Sequence, residues 1–137
     1  MKTENEAENS RLRRAERLLD ARDYRRVSRK GRRLTSRGFV MLVSASRQTE
    51  TVRGPQVARL GMSASRRVGN AVVRNRVKRQ IREWYRTEKQ NIPKGKDYVL
   101  IVRRPAAEMS SAEIRQMLSG LVDQLSAKMQ AGSSPRR

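Results

Sequence analysis

Ser63–Arg86 reads SASRRVGNAVVRNRVKRQIREWYR, and the rest of the chain is organised around it. The stretch opens as the end of a strand, turns at Val68-Gly69 and continues as a long helix. Val73, Val77, Ile81 and Trp84 recur at helical spacing, which gives that helix one apolar face to bury. Arg74, Lys78 and Arg82 lie along one flank, with Asn75, Arg79 and Arg86 beside them and Arg76 on a neighbouring line. A helix start carries partial positive charge and disfavours cations, each costing roughly 0.3–1 kcal/mol. Yet Arg66 and Arg67 precede this helix, Arg74 and Arg76 follow its first turn, and no acid appears between Asn70 and Glu83. Such crowding is stable beside an external polyanion, and phosphates are the anion that helix starts and arginines hold best. A merely solvated face would mix signs at i,i+4 spacing, and Asn75 is a mediocre helix former where Lys or Gln would serve solubility better.

Composition points the same way. Among 137 residues, 33 Lys and Arg stand against 13 Asp and Glu, a net charge of +20. A compact body so charged repels itself unless a polyphosphate partner neutralises it. Aromatic residues make up only 4%, so base stacking would rest on very few rings. The chain has no cysteine, which excludes disulfides and thiolate-held metals and fits a cytoplasmic home. Histidine is also absent, and the acids show no metal-ligand spacing, so catalysis by the polypeptide itself is not expected. The polar, acidic start is no signal peptide, and no apolar run is long enough to span a bilayer.

In chain order, residues 1–16 read as a flexible extension, 17–129 as one domain and 130–137 as a disordered basic tail. A short helix is predicted from an Asp20 cap, with Tyr24 and Val27 on one face and Gly31 as terminator. Tyr24 is either a core anchor or one wall of a cleft. Phe39–Val43 reads as a central strand, and Arg47–Gln56 as a connection. Val57–Ser65 reads as a second, antiparallel strand; the segment from there to Val102 is a β-α-β crossover if its two strands are parallel. Asn91–Lys96 is a turn and Tyr98–Val102 a strand ended by Arg103-Arg104-Pro105. Ser110 and Glu113 form a capping box, followed by an apolar stripe of Ile114, Met117, Leu118, Leu121, Val122 and Leu125. The class is α+β, with helices packed on one small sheet.

The run Gly61–Arg79, centred on Arg74-Asn75-Arg76, closely resembles the signature of the bacterial ribonuclease P protein subunit. Leu18, Asp23-Tyr24, Gly31, Arg37, Phe39, Asp97-Tyr98 and Arg104-Pro105 fit as well. The resemblance implies a mixed sheet of about four strands with three helices in the order α-β-β-β-α-β-α. It also implies a left-handed crossover in place of the usual right-handed one. The function implied is that of an accessory subunit of an endoribonuclease that removes the 5′ leader of precursor tRNA. Partners would be the catalytic RNA and precursor tRNA, with no membrane and no DNA. No cofactor is expected on protein ligands, and Mg2+ is expected through the RNA. Carried over by position, Arg66, Arg67, Asn70, Arg74, Asn75, Arg76, Lys78, Arg79 and Arg82 would face RNA. Tyr24, Phe39, Ser63 and Ser65 would line or border the leader cleft. Ser28 and Leu42 stand at or near positions where many relatives carry aromatics, which leaves the cleft less able to stack bases; the acidic start, Glu4 to Glu8, extends beyond the usual beginning. Replacing Arg74 and Arg76 with alanine is expected to weaken RNA assembly and leave the fold intact. The main alternative is a structural RNA-binding protein of ribosomal type; a DNA-binding regulator and a protein-only nuclease fit less well.

Overall fold

The computed structural model describes residues 21–45 and 58–132. The Asp20 cap, residues 1–16 and the Arg47–Gln56 connection lie outside the described residues. In chain order the elements are α1 (Ala21–Lys30), β1 (Arg32–Thr35), β2 (Phe39–Ala45), β3 (Arg59–Ala64), α2 (Ala71–Glu88), β4 (Lys96–Val102), a short 3-10 helix (Arg104–Glu108) and α3 (Ser111–Gly132). This is the expected order, α-β-β-β-α-β-α. α3 runs through Gly132, so the tail expected from residue 130 begins inside a helix.

Four strands form one mixed sheet in the order β1-β2-β4-β3. β2 pairs antiparallel with both β1 and β4, while β3 sits at the edge, parallel to β4. The expectation of β3 as an antiparallel strand is therefore corrected at the level of pairing. β3 runs opposite to β2 but bonds only β4, and α2 carries the chain between those parallel neighbours as a β-α-β crossover. Periodicity reports which face a strand buries, never which strand lies beside it.

β2 is buried on both faces, which is why its sequence is a continuous apolar run rather than an alternation. Phe39, Met41 and Val43 join Tyr98, Leu100 and Val102 beneath α2 and α3, where Val77, Ile81, Trp84, Ile114, Leu118, Leu121 and Leu125 complete the main core. Val40, Leu42 and Val99 face the opposite way and meet Val27 of α1, with Tyr24 and Ile101 at the margin. Residue pattern alone did not place β1. Its Arg32-Arg33-Leu34-Thr35 buries only Leu34, and a short charged strand at a sheet edge resists pairing with other chains.

Local signals hold where hydrogen bonds are local. Ser110 Oγ accepts from the Glu113 N–H (3.1 Å) and Glu113 Oε1 accepts from the Ser110 N–H (2.8 Å), the reciprocal box expected at the α3 start. Gly31 closes α1 by donating to the Val27 carbonyl. A Cβ there would lie 2.4 Å from the Val27 carbonyl oxygen and 2.9 Å from that of Val43, so no side chain fits the turn into β1. α2 and α3 are joined through polar edges as well as the core: Trp84 Nε1 donates to Ser119 Oγ at 3.0 Å, and Gln80 Nε2 to Ser111 Oγ at 2.8 Å.

Four charges pin α1 to the sheet. Arg59 on β3 makes a forked pair with Asp97 on β4, Nε to Oδ1 and Nη2 to Oδ2, both 2.8 Å. Arg59 Nη2 also reaches Asp23 Oδ2 of α1 at 3.2 Å, and Arg26 bridges Asp23 and Asp97 from the other side. Arg26 Nη1 further donates to Ser44 Oγ and the Ala45 carbonyl. Asp97 is fully buried and Asp23 nearly so. The hydrogen bonds to Asp97 raise the pKa of the Arg59 guanidinium against the opposing cost of burial.

Candidate nucleic-acid interface

α2 begins as its sequence demands. Asn70 Oδ1 accepts from the Val73 N–H at 3.0 Å and caps the helix. That oxygen is committed to the cap, so the group Asn70 can offer an RNA is its amide N–H2. Upstream, the Val68 N–H donates to the Ser65 carbonyl and the Arg67 N–H to Ser65 Oγ, a turn that presents Arg66 and Arg67 to solvent. Ser65 thus borders the sheet by shaping this turn.

At about 3.6 residues per turn, Asn75, Arg79, Arg82 and Arg86 project on the side away from the buried Val77 and Ile81, with Arg74 and Lys78 on one flank. Arg74 Nε donates to the Gly69 carbonyl at 3.2 Å, which keeps its charge at the start of the helix. Arg76 falls on the other flank, where Nη2 donates to the Ala107 carbonyl of the 3-10 helix. It therefore ties α2 to the segment after β4, a structural task the residue pattern did not show. Glu83, the one acid among these cations, pairs with Arg86 at 3.1 Å on the surface, where such pairs contribute little.

On the opposite face of the sheet, a short strip at the C-terminal ends of β3 and β4 is partly uncovered, while Gly61 and Val99 at its base are buried. Register places Gly61 and Ser63 of β3 beside Val99 and Ile101 of β4. Tyr24 leans over this strip from α1, half-buried, and its hydroxyl donates to the Met62 carbonyl at 3.1 Å. Burial raises its pKa, against the lowering effect of the bond to the Met62 backbone. Gly61 makes the contact possible: a Cβ there would lie 2.4 Å from the Tyr24 hydroxyl. Ser63 is exposed and Ile101 half-buried. Alternation along β4 carries the same face on to Arg103, whose Nη1 donates to the Ser36 carbonyl at 2.9 Å. Sequence reasoning missed Gly61, Ile101 and Arg103 as parts of this strip. For Ile101 and Arg103 the signal was the period-two alternation of β4, legible only once β3 is known to lie beside it.

Phe39 does not belong there. It is fully buried on the other face, packed with α3 residues in the main core. One residue along a strand reverses the face, so Val40 rather than Phe39 shares the side of Tyr24.

A basic helix face on one side of a small mixed sheet, and an open strip beneath a tyrosine on the other, define a small α+β RNA-binding protein. The chain belongs to the ribonuclease P protein family, whose model, described as Ribonuclease P, matches residues 12–126. It is 39% identical over 106 residues to the ribonuclease P protein component of Desulforapulum autotrophicum, covering 77% of this chain and 85% of the relative. To that of Bacillus cereus it is 40% identical over 96 residues, covering 70% and 78%. Among solved structures, the Staphylococcus aureus RNase P protein superposes with a TM-score of 0.71 at 32% identity, covering 80% of this chain and 94% of that one. The Thermotoga maritima RNase P protein gives 0.67 at 32% identity, covering 80% and 96%.

Proposed function

We propose that this chain is the accessory subunit of a ribonuclease P in which RNA performs the hydrolysis. In this reading the outward face of α2 and the Arg66-Arg67 turn bind the catalytic RNA. The Tyr24–Ser63 strip takes the single-stranded 5′ leader of precursor tRNA. The single observation that carries the reading is the concentration of exposed and half-buried cations on the outward side of α2 and its leading turn, in a chain that belongs to this family. Phosphate contacts would position the substrate without reading its sequence. Such contacts also lower the repulsion between leader, tRNA and catalytic RNA, which raises substrate affinity and favours occupancy of metal ions held by the RNA.

Among the described residues no group of three or more His, Cys, Asp or Glu could hold a metal ion. Asp23 and Asp97 come together only with their oxygens bonded by Arg26 and Arg59. No described helix is long and apolar enough to cross a membrane, and a cytoplasmic site of action accompanies the proposed partners.

The deciding experiment is reconstitution. Added to ribonuclease P RNA at low Mg2+, the protein is expected to restore precursor-tRNA cleavage, and to cleave nothing without the RNA. Failure to stimulate, with tight binding to ribosomal RNA instead, would favour the structural alternative. The leader strip has its own test in Gly61→Ala. The new methyl group displaces the Tyr24 ring and breaks its bond to Met62, so the affinity advantage of leader-bearing over mature tRNA is expected to fall several-fold. Affinity for the RNA subunit should not change. An unaltered preference for leader-bearing tRNA would remove Tyr24 from the strip's function.

A further inference from the structure

We propose that Val72, Asn75 and Arg79 form a row that holds one unpaired nucleotide of the ribonuclease P RNA: Val72 packs on its base or sugar, Asn75 hydrogen-bonds its base edge, and Arg79 takes its phosphate. This deepens the proposed function and rests on it. Val72 is 76% exposed, the one large apolar side chain so exposed among the described residues. A lone exposed valine is ordinary on a protein surface. This one is a β-branched residue in the first turns of a helix, where it loses rotamer freedom, on a protein otherwise rich in solubilising cations. Positions i, i+3 and i+7 share a helix face, and Val72, Asn75 and Arg79 are all exposed. Asn75 repeats the anomaly, being a weak helix former with an amide able to donate and accept at once.

Apolar, amide and guanidinium groups in one line match the parts of a nucleotide whose base is out of the helical stack. Single-stranded loops and bulges of RNA present such bases for apolar packing and edge recognition. The surrounding cations select a nucleic acid over an apolar peptide. The leader strip lies on the opposite face of the sheet, so the row faces the RNA subunit rather than the leader.

Filter binding of the full protein to ribonuclease P RNA across a salt series separates the three contacts. Val72→Thr and Asn75→Ala are each expected to lower affinity roughly tenfold at every salt concentration, with the slope of log K against log[salt] unchanged. Arg79→Gln should make that slope shallower by about one. Asn75→Ala should melt no lower than the parent protein, since alanine is the better helix former, so its loss of binding has no structural source. The row is refuted if Val72→Thr and Asn75→Ala bind as the parent does, if their losses come with an altered slope, or if they weaken precursor tRNA alone. Parent protein that binds without salt dependence sinks the proposed function, and the row with it. Steep salt dependence in the parent with neutral row variants sinks the row only.

Discussion

Asp97→Ala is expected to destabilise the protein by about 3–5 kcal/mol, a large part of the stability of a domain this size. The carboxylate is fully buried and takes the forked pair from Arg59 and the bridge from Arg26. Removing it leaves two guanidinium groups beside a nearly buried Asp23 that can neutralise only one of them. The cost is that of an uncompensated charge out of water, larger than the net value of the intact network. Arg59→Lys tests the geometry rather than the charge. An ammonium cannot reproduce the fork across both carboxylate oxygens, so a smaller but clear loss is expected. Urea denaturation measures both. A loss below about 1 kcal/mol for Asp97→Ala would mean that water reaches the network and that α1 is held by its apolar contacts alone.

The second large effect concerns binding. Changing Arg66, Arg67, Arg74 and Lys78 together to glutamine is expected to weaken binding to ribonuclease P RNA by about 10³-fold near 0.1 M salt. At that salt the counterion term is worth just under tenfold per phosphate neutralised. If about six phosphates are engaged, the parent slope of log K against log[salt] is near −4 to −5, and the variant's near −1.5. The fold should survive, because these side chains are exposed or half-buried on the surface of α2 and its leading turn. An unchanged slope would place the RNA elsewhere on the molecule. Arg76 does not belong in this set. Its guanidinium bonds the Ala107 carbonyl, so the Arg74 and Arg76 double alanine variant would loosen the 3-10 helix as well as the RNA contact. The expectation that such a variant leaves the fold untouched is amended accordingly.

Most of the helices and the outline of the basic face of α2 were legible in the residues because their causes are local. A cap bonds a backbone group three positions away, a stripe repeats every turn, and cations at that spacing line up whatever lies beyond the helix. The Ser110–Glu113 box and the Val77–Ile81–Trp84 face both stand where local rules put them. The strip beside Tyr24 was half legible. Tyr24 and Ser63 do share a face, but Phe39 went to the wrong side because its membership depends on register between strands far apart in the chain.

By itself, the amino-acid order determined an α+β protein with a basic helix poised for a polyanion, since charge, capping and periodicity act over a few residues. Only the tertiary structure decided that β3 lies at the edge beside β4, that Asp23 and Asp97 are buried between two arginines, and that Arg76 reaches across to the Ala107 carbonyl. Those outcomes depend on which distant segments share a low-dielectric interior, and the free energy of bringing charges together there is a property of the assembled chain, not of any stretch of it.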